Sequence, residues 1–255
     1  MASFFIYDSI NMYRSDNTIS EGGISGSSPN NTFSQSNSLT NHERAADQNI
    51  GTVISGVGNS EAIKYAIGSN ATADVAAVYF TGASGGSNPI IRIKKGASGS
   101  ITNIGEINSV SAAGWSVATL TSTTDDEFYA QFTGAISNCA EILIGKKLAF
   151  EVEPDINIQT AKDYGTQVQK SLGGVEYAIN THNGQEIFTI SFQNISSTFK
   201  SDLLTFEDAN KAQGKKFLYY DGTNYNWVRL DRPMVFTEVA DGRFSTQIVM
   251  RQQIQ

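Results

Sequence analysis

Apolar and polar positions change in short, evenly spaced runs along most of this chain. Between residues 49 and 152 the runs are IGTVISG, AIKYAIG, DVAAVYFTG, PIIRIKKG, ITNIGEI, GWSVATLTS, EFYAQFTG and AEILIGKKLAFEV, each bounded by Gly, Asn, Ser or Pro. Several alternate with period two: Ile91 and Ile93 against Arg92 and Lys94, and Phe128, Ala130 and Phe132 against Tyr129, Gln131 and Thr133. Alternation of this kind puts one set of side chains on a core and the other outside. No convincing amphipathic helix interrupts the series, so the pattern predicts an antiparallel, jelly-roll-like β-sandwich. The run DVAAVYF is apolar throughout and predicts a central strand covered on both faces.

The carboxyl-terminal part reads differently. GGVEYAIN and QEIFTISFQNI are strand candidates on either side of His182-Asn183-Gly184, and an Asn-Gly pair is a strong hairpin cue. Ser196 or Ser197 can then cap a helix in which Phe199, Leu203, Phe206 and Asn210 fall on one stripe, with Lys211, Lys215 and Lys216 near its end and Gly214 as its stop. KKFLYYD, YNWVRL, MVFTEVA and FSTQIVM follow as strands, with turns at Asp221-Gly222 and Asp241-Gly242. The expectation is a second β-sandwich carrying one α-helix, and a mainly β chain overall.

Two stretches lack a core-forming pattern. Residues 3–13 can form a strand, but Arg14 to Gln48 is dominated by Ser, Asn, Gly and Thr, too polar to offset its own ordering entropy. It is either a disordered tail or an extended arm that docks on a neighbouring subunit through isolated apolar pegs such as Phe33 and Leu39. After Pro154 the alternation fades again for about twenty residues. The chain therefore divides into an amino-terminal strand and arm (1–48), a jelly-roll-like sandwich (49–152), a linker (153–174) and an α+β sandwich (175–255).

Composition narrows the function. Only 17% of residues are charged, the chain carries 23 Gly, and this balance fits a turn-rich β protein packed against copies of itself. A net charge of −7 gives no basic footprint for a phosphate backbone, so nucleic acid is not the expected partner. No window approaches eighteen apolar residues, and MASFFIYDS lacks the basic lead-in and apolar core of a secretory signal, so neither membrane insertion nor export is expected. The single cysteine, Cys139, excludes an intrachain disulfide, and its apolar neighbours point to a buried residue.

Groups that could carry chemistry are sparse. The two histidines, His42 and His182, sit in polar surroundings with no partner pattern, and no GxSxG signature appears. Asp125-Asp126-Glu127 could contribute to a Ca²⁺ site but reads better as a solvated turn, and Asp221, Asn224 and Asn226 lack the glycine and glutamate of a calcium loop. The glycine-rich runs near Gly51–Gly58 and at Gly82–Ser87 lack the Lys-Ser/Thr ending of a phosphate loop. Carboxylates for glycan hydrolysis could come from Asp125, Glu127, Glu141 or Glu151, without any spacing that sets them in opposition. No catalytic residue, cofactor or metal is expected. Among the aromatics, Tyr219, Tyr225 and Trp227 are candidate subunit contacts, and Trp115 and Tyr129 are candidate platforms for a sugar ring.

The order of VAAVYFTG, IIRIKKG, the strand led by Trp115, EFYAQFTG and AEILIGKKLAF resembles the galactose-binding-like jelly rolls of carbohydrate-binding domains and phage tail proteins. The half running from SLGGVEYA to FTEVADGRFSTQIVMRQQ looks like the helix-bearing sandwiches of distal-tail, baseplate-hub and related phage tail proteins. This chain departs from the usual distal-tail arrangement by placing the jelly-roll-like part first. The resemblance implies a virion structural protein, assembled in the host cytoplasm, that forms a ring with copies of itself and meets other tail, baseplate or neck proteins. An alternative is a carbohydrate-binding or host-adhesion module of the tail tip.

Overall fold

The structure, a computed structural model, describes residues 3–8, 18–25, 32–35, 41–54, 61–84, 91–133, 138–154, 159–181, 183–211 and 214–253. In chain order the strands are β1 (Phe4–Asp8), β2 (Thr18–Ser25), β3 (Thr32–Gln35), β4 (Glu61–Phe80), β5 (Ile91–Lys95), β6 (Thr102–Ile107), β7 (Gly114–Phe132), β8 (Cys139–Ala149), β9 (Gln159–Asp163), β10 (Thr166–Lys170), β11 (Glu176–Asn180), β12 (Gln185–Ser196), β13 (Lys216–Tyr220), β14 (Tyr225–Leu230), β15 (Val235–Ala240) and β16 (Arg243–Gln252). Among the described residues there is one α-helix, α1 (Ser197–Ala209), and one 3-10 turn, at His42–Ala46. The expected class, mainly antiparallel β with a single helix, is the one the chain adopts. The chain forms two compact units, Tyr7–Lys147 and Met1–Ile6 with Leu148–Ile254.

The first unit is organised by two long strands. The runs AIKYAIG and DVAAVYF, separated in sequence by residues 69–73, are one strand, β4, and GWSVATLTS and EFYAQF are likewise one strand, β7. β4 and β7 pair antiparallel from Ala62↔Gln131 to Phe80↔Gly114, with register shifts between Ala66 and Ala71 and between Ala73 and Val75. Bulges bend a strand without ending it, which is why polar residues that read as turns are crossed by continuous strands. One end of this pair is flanked by β5 and β2, with β6 and β3 outside them, and the other by β8. Inward side chains from both ends share one core, including Ile63, Tyr65, Val78, Phe80, Ile93, Phe128, Phe132, Ile142 and Ile144. DVAAVYF is indeed central, with Val75, Ala76, Ala77 and Val78 all buried between β7 and β8.

The polar arm is not a bare extension. β2 pairs with β4 through Thr18↔Ala66 to Gly23↔Glu61, and β3 folds back on β2. This hairpin covers the other face of the sheet, where Ile24, Ala62, Ile101 and Tyr129 form a small second cluster with Phe33 packed against it.

In the second unit the strand order is β1–β13–β14–β16–β12–β9, with β15 paired to the other stretch of β16. Its core is aromatic. Phe5 stacks on Phe206 at 4.8 Å between ring centroids, Phe150 meets Phe5 and Phe192 edge-on at 4.8 and 5.0 Å, and Phe206 meets Phe217 at 4.8 Å. The helix is where its stripe puts it: Phe199, Leu203 and Phe206 are buried, and the Ser196 hydroxyl accepts the Phe199 N–H at 3.1 Å. Its end differs from expectation. The helix stops at Ala209, the Asn210 side chain donates to the Phe206 carbonyl at 2.8 Å, and Lys211 takes the left-handed conformation at φ 45°, so Asn210 and Lys211 end the helix rather than Gly214.

Within the expected linker of 153–174, residues 159–163 and 166–170 form strands β9 and β10, and Asn183-Gly184 does not turn β11 into β12. β9 pairs with β12 from Gln185↔Asp163 to Thr189↔Gln159, and β10 pairs with β11 from Thr166↔Asn180 to Lys170↔Glu176. Residues 159–189 are therefore one long hairpin with a joint in its middle. At the joint the Thr181 N–H donates to the Tyr164 carbonyl at 3.2 Å, and Gly184 lies so close under the Tyr164 ring that a Cβ there would come within 2.7 Å of it. The turn at the tip is closed by hydrogen bonds between Ser171, Gly174 and Val175, with Gly174 at φ 82°.

Candidate functional site

The residues singled out from the sequence do not converge on one site. Phe33 is half-buried, and its ring centroid lies 5.5 Å from that of Tyr129 in the same chain. Two residues assigned different tasks, an arm peg and a sugar platform, thus pack on each other. Tyr129 is 0% exposed, and its hydroxyl donates to Glu127 Oε2 at 2.8 Å. Burial first, then this bond, holds its ionisation well above the ordinary phenol range. A ring enclosed in this way offers no face to a sugar. Leu39 and His182 lie outside the described residues.

Tyr219 and Trp227 are core residues, not surface contacts. Tyr219 is 0% exposed, with its ring 5.7 Å from Phe5 and 6.0 Å from Phe188, and Trp227 is buried opposite Leu218. The Tyr219 hydroxyl meets no hydrogen-bond partner among the described residues, and burial pushes its ionisation up to about 12, helped by the charges of Asp221 and Glu153. Tyr225 is half-buried against Tyr220 at 4.7 Å. Trp115 is half-buried and pairs across the strands with Tyr79, their rings 5.2 Å apart.

The polar candidates are engaged in holding turns and strands. Asp125 accepts from the Asp126 N–H at 2.9 Å and faces Lys95 at 3.3 Å, while Glu127 binds Lys64 and Tyr129. Asp221 Oδ1 accepts the Thr223 and Asn224 N–H groups at 2.8 and 2.7 Å and closes the β13–β14 turn. His42 opens the 3-10 turn, 3.8 Å from Glu43. Cys139 is fully buried, and burial, followed by the charge of Glu141, raises its thiol far above the range in which thiolate reactivity develops. Among the described residues no group of three or more His, Cys, Asp or Glu could hold a metal ion. No helix among them is long and apolar enough to cross a membrane.

What the structure does present is exposed apolar surface in two places. The first is the hairpin tip, where every residue of β10 and β11 is exposed. Cross-strand pairing sorts its side chains: Val168, Ala178, Lys170 and Glu176 share one face, with Lys170 and Glu176 paired at 2.9 Å, while Tyr177 and Ile179 stand on the other beside Gln169 and Gln167. Val168 is 62% exposed, Tyr177 57% and Ile179 56%. The second is β15, where Val235 is 73% and Val239 55% exposed. Of the large apolar side chains that stand exposed among the described residues, only Val152 and Leu204 lie outside β15 and the segment from Tyr164 to Ile179.

β15 borders a groove of about 770 Å³ on the outer face of β12, β16 and β15. Val235, Thr237 and Val239 line it from one side, Ser191 and Gln247 form its floor, and Arg232 and Pro233 close one end. Among the described residues Arg232 is its one charged lining residue, held by a hydrogen bond to Gln247. Phe236 points the other way, with Lys200 5.8 Å from its ring. Among the described strands β15 pairs with β16 alone, so its second edge is open.

None of these apolar positions was singled out from the sequence, although a signal existed. Val175, Tyr177 and Ile179 alternate, as do Val235, Thr237 and Val239, and both runs read as strands; alternation does not tell a face that meets the chain's own core from one that meets water. No protein-family model, no curated protein and no solved structure matches this chain.

Proposed function

We propose that this chain is a structural subunit that acts by associating with copies of itself, as a ring or adaptor in the tail, baseplate or neck of a tailed-phage virion. The observation that carries the self-association is the hairpin tip. A two-stranded hairpin is marginal in water on its own, and this one leaves Val168, Tyr177 and Ile179 more than half exposed. Covering each such side chain is worth on the order of 1.5–3 kcal/mol, so a tip held in a contact is far better stabilised than a free one. Soluble monomers blunt or cover such edges, and the neighbouring exposed Tyr177 and Ile179 on one face of the tip suit an interaction site. The virion setting rests on the resemblance drawn from the sequence.

The test is the mass of the purified chain by sedimentation across a wide concentration range, with electron microscopy of whatever assembles. Closed rings or discrete oligomers are expected, and a strict monomer at every concentration overturns self-association. Detection of the chain in purified particles tests the virion setting separately.

Host-glycan adhesion is the second reading, and the Trp115–Tyr79 pair favours it as a half-exposed aromatic platform. Binding to host polysaccharide that is lost in Trp115→Ala supports it. Absence of binding across those polysaccharides removes it.

A further inference from the structure

The two exposed apolar regions are complementary, and the complementarity goes further than the self-association on which it rests. Among the described strands β15 offers an open edge, and so does β11, which pairs with β10 alone. Each alternates with period two: Val235, Thr237 and Val239 face the groove and Phe236 faces away, while Glu176 and Ala178 share one face of the tip and Tyr177 and Ile179 the other. Charge selects which face enters. Among the described residues Arg232 is the one charged side chain lining the groove, and Glu176 is the one charged side chain of β11; Lys170, ion-paired to Glu176 at 2.9 Å, stands on the same face but one strand farther from β15. Setting Glu176 beside Arg232 puts Ala178, with Val168 behind it, against Val235, and runs Tyr177 and Ile179 along the opposite face beside Phe236. That placement makes the two strands parallel.

We propose that the open edge of β15, at the rim of the groove, is the seat for the β10–β11 tip of a second copy, joined by edge-to-edge strand pairing. Every copy gives one tip and receives one, so the contact is heterologous and generates a ring where the rotation closes. Such a contact satisfies backbone groups that both edges otherwise leave to water and covers exposed apolar side chains of both regions, Val235 on β15 and Tyr177 and Ile179 on β11.

The test uses the full chain with Ala178→Cys in one preparation and Val235→Cys in another, mixed and treated with a short bifunctional maleimide. Cys139 is buried and stays silent. A cross-linked dimer from the mixture, absent from either preparation alone, supports the seat. Dimers formed by Ala178→Cys alone indicate a tip-to-tip contact and overturn it. Oligomers that persist in sedimentation without the mixed cross-link overturn the seat while leaving self-association standing, and a strict monomer removes both. The charge pairing is read independently: Arg232→Glu is expected to weaken association about tenfold or more, and adding Glu176→Lys to restore it. Lack of rescue overturns the assigned face.

Discussion

The two halves of one hairpin, residues 159–189, have the same strand geometry and opposite surroundings. At the base, β9 pairs with β12, and Arg251 reaches across to bind both Asp163 and Asp231, the latter at 2.7 Å. β12 carries Phe188, Ile190 and Phe192 into the aromatic core. Past the joint at Tyr164 and Gly184, β10 and β11 keep pairing, and nothing among the described residues of their own unit covers them. Hydrogen-bonded pairing is therefore not what separates a stabilising strand from an unsupported one. Burial is, because a strand pair contributes stability chiefly through the face it hides.

The contrast is sharpest at the base. Phe188 is buried with its ring against Tyr219, and Phe206 lies between Phe5 and Phe217. Phe206→Ala or Phe188→Ala is expected to cost about 3–5 kcal/mol in denaturant unfolding. A loss below about 1 kcal/mol would mean that this core is loosely packed and that the contrast between base and tip is false.

Next in size is an alkaline limb. The Tyr219 phenol titrates near 12 when folded, above its ordinary value of 10.0. A raised folded pKa favours the neutral form, so the stability it contributes is complete below about pH 10 and is lost as pH climbs towards 12. The expected loss is about 1–2 kcal/mol after allowance for solvent screening. Tyr219→Phe should leave neutral-pH stability nearly unchanged, since the hydroxyl has no partner among the described residues, and should make this limb shallower, with the raised Tyr129 phenol still contributing to it. An unaltered alkaline limb in that variant would place the titration elsewhere.

Where β12 leads into the helix the expected effect is smaller again. Ser196 caps α1 and donates to Glu151 Oε2 at 2.6 Å, and Ser196→Ala should cost about 1 kcal/mol in the same unfolding assay. No measurable change would show that Glu151 or water replaces the cap.

Parts of this architecture are legible in the residues, and the limits are physical. The helix is, because Phe199, Leu203 and Phe206 recur at helical spacing behind a serine cap. The central strand is, because DVAAVYF has no polar face. The continuity of β4 and β7 is not: Gly, Asn and Thr serve equally at a bulge and at a turn, and only the partner strand decides between them. Tyr129 alternates outward and reads as exposed, since the strand that covers it, with Phe33, lies nearly a hundred residues upstream. The hairpin of 159–181 lacks apolar alternation on β9 and β10 because those strands have no core of their own to face.

The smallest effect on stability is the most informative about function. Tyr177→Ser combined with Ile179→Ser removes two apolar side chains from the tip, both more than half exposed in the single chain. Side chains that bury so little contribute little to the folded monomer, so unfolding free energy at low concentration should stay within about 0.5 kcal/mol of the parent chain. Association is a different matter: the same two side chains are covered only when a partner covers them, so at concentrations where the parent chain assembles the variant should sediment as a monomer. Unfolding and sedimentation on one preparation thus separate the roles of base and tip. A variant that loses several kcal/mol as a monomer would show that the tip already packs against its own chain. One that assembles as well as the parent would show that the contact between copies lies elsewhere.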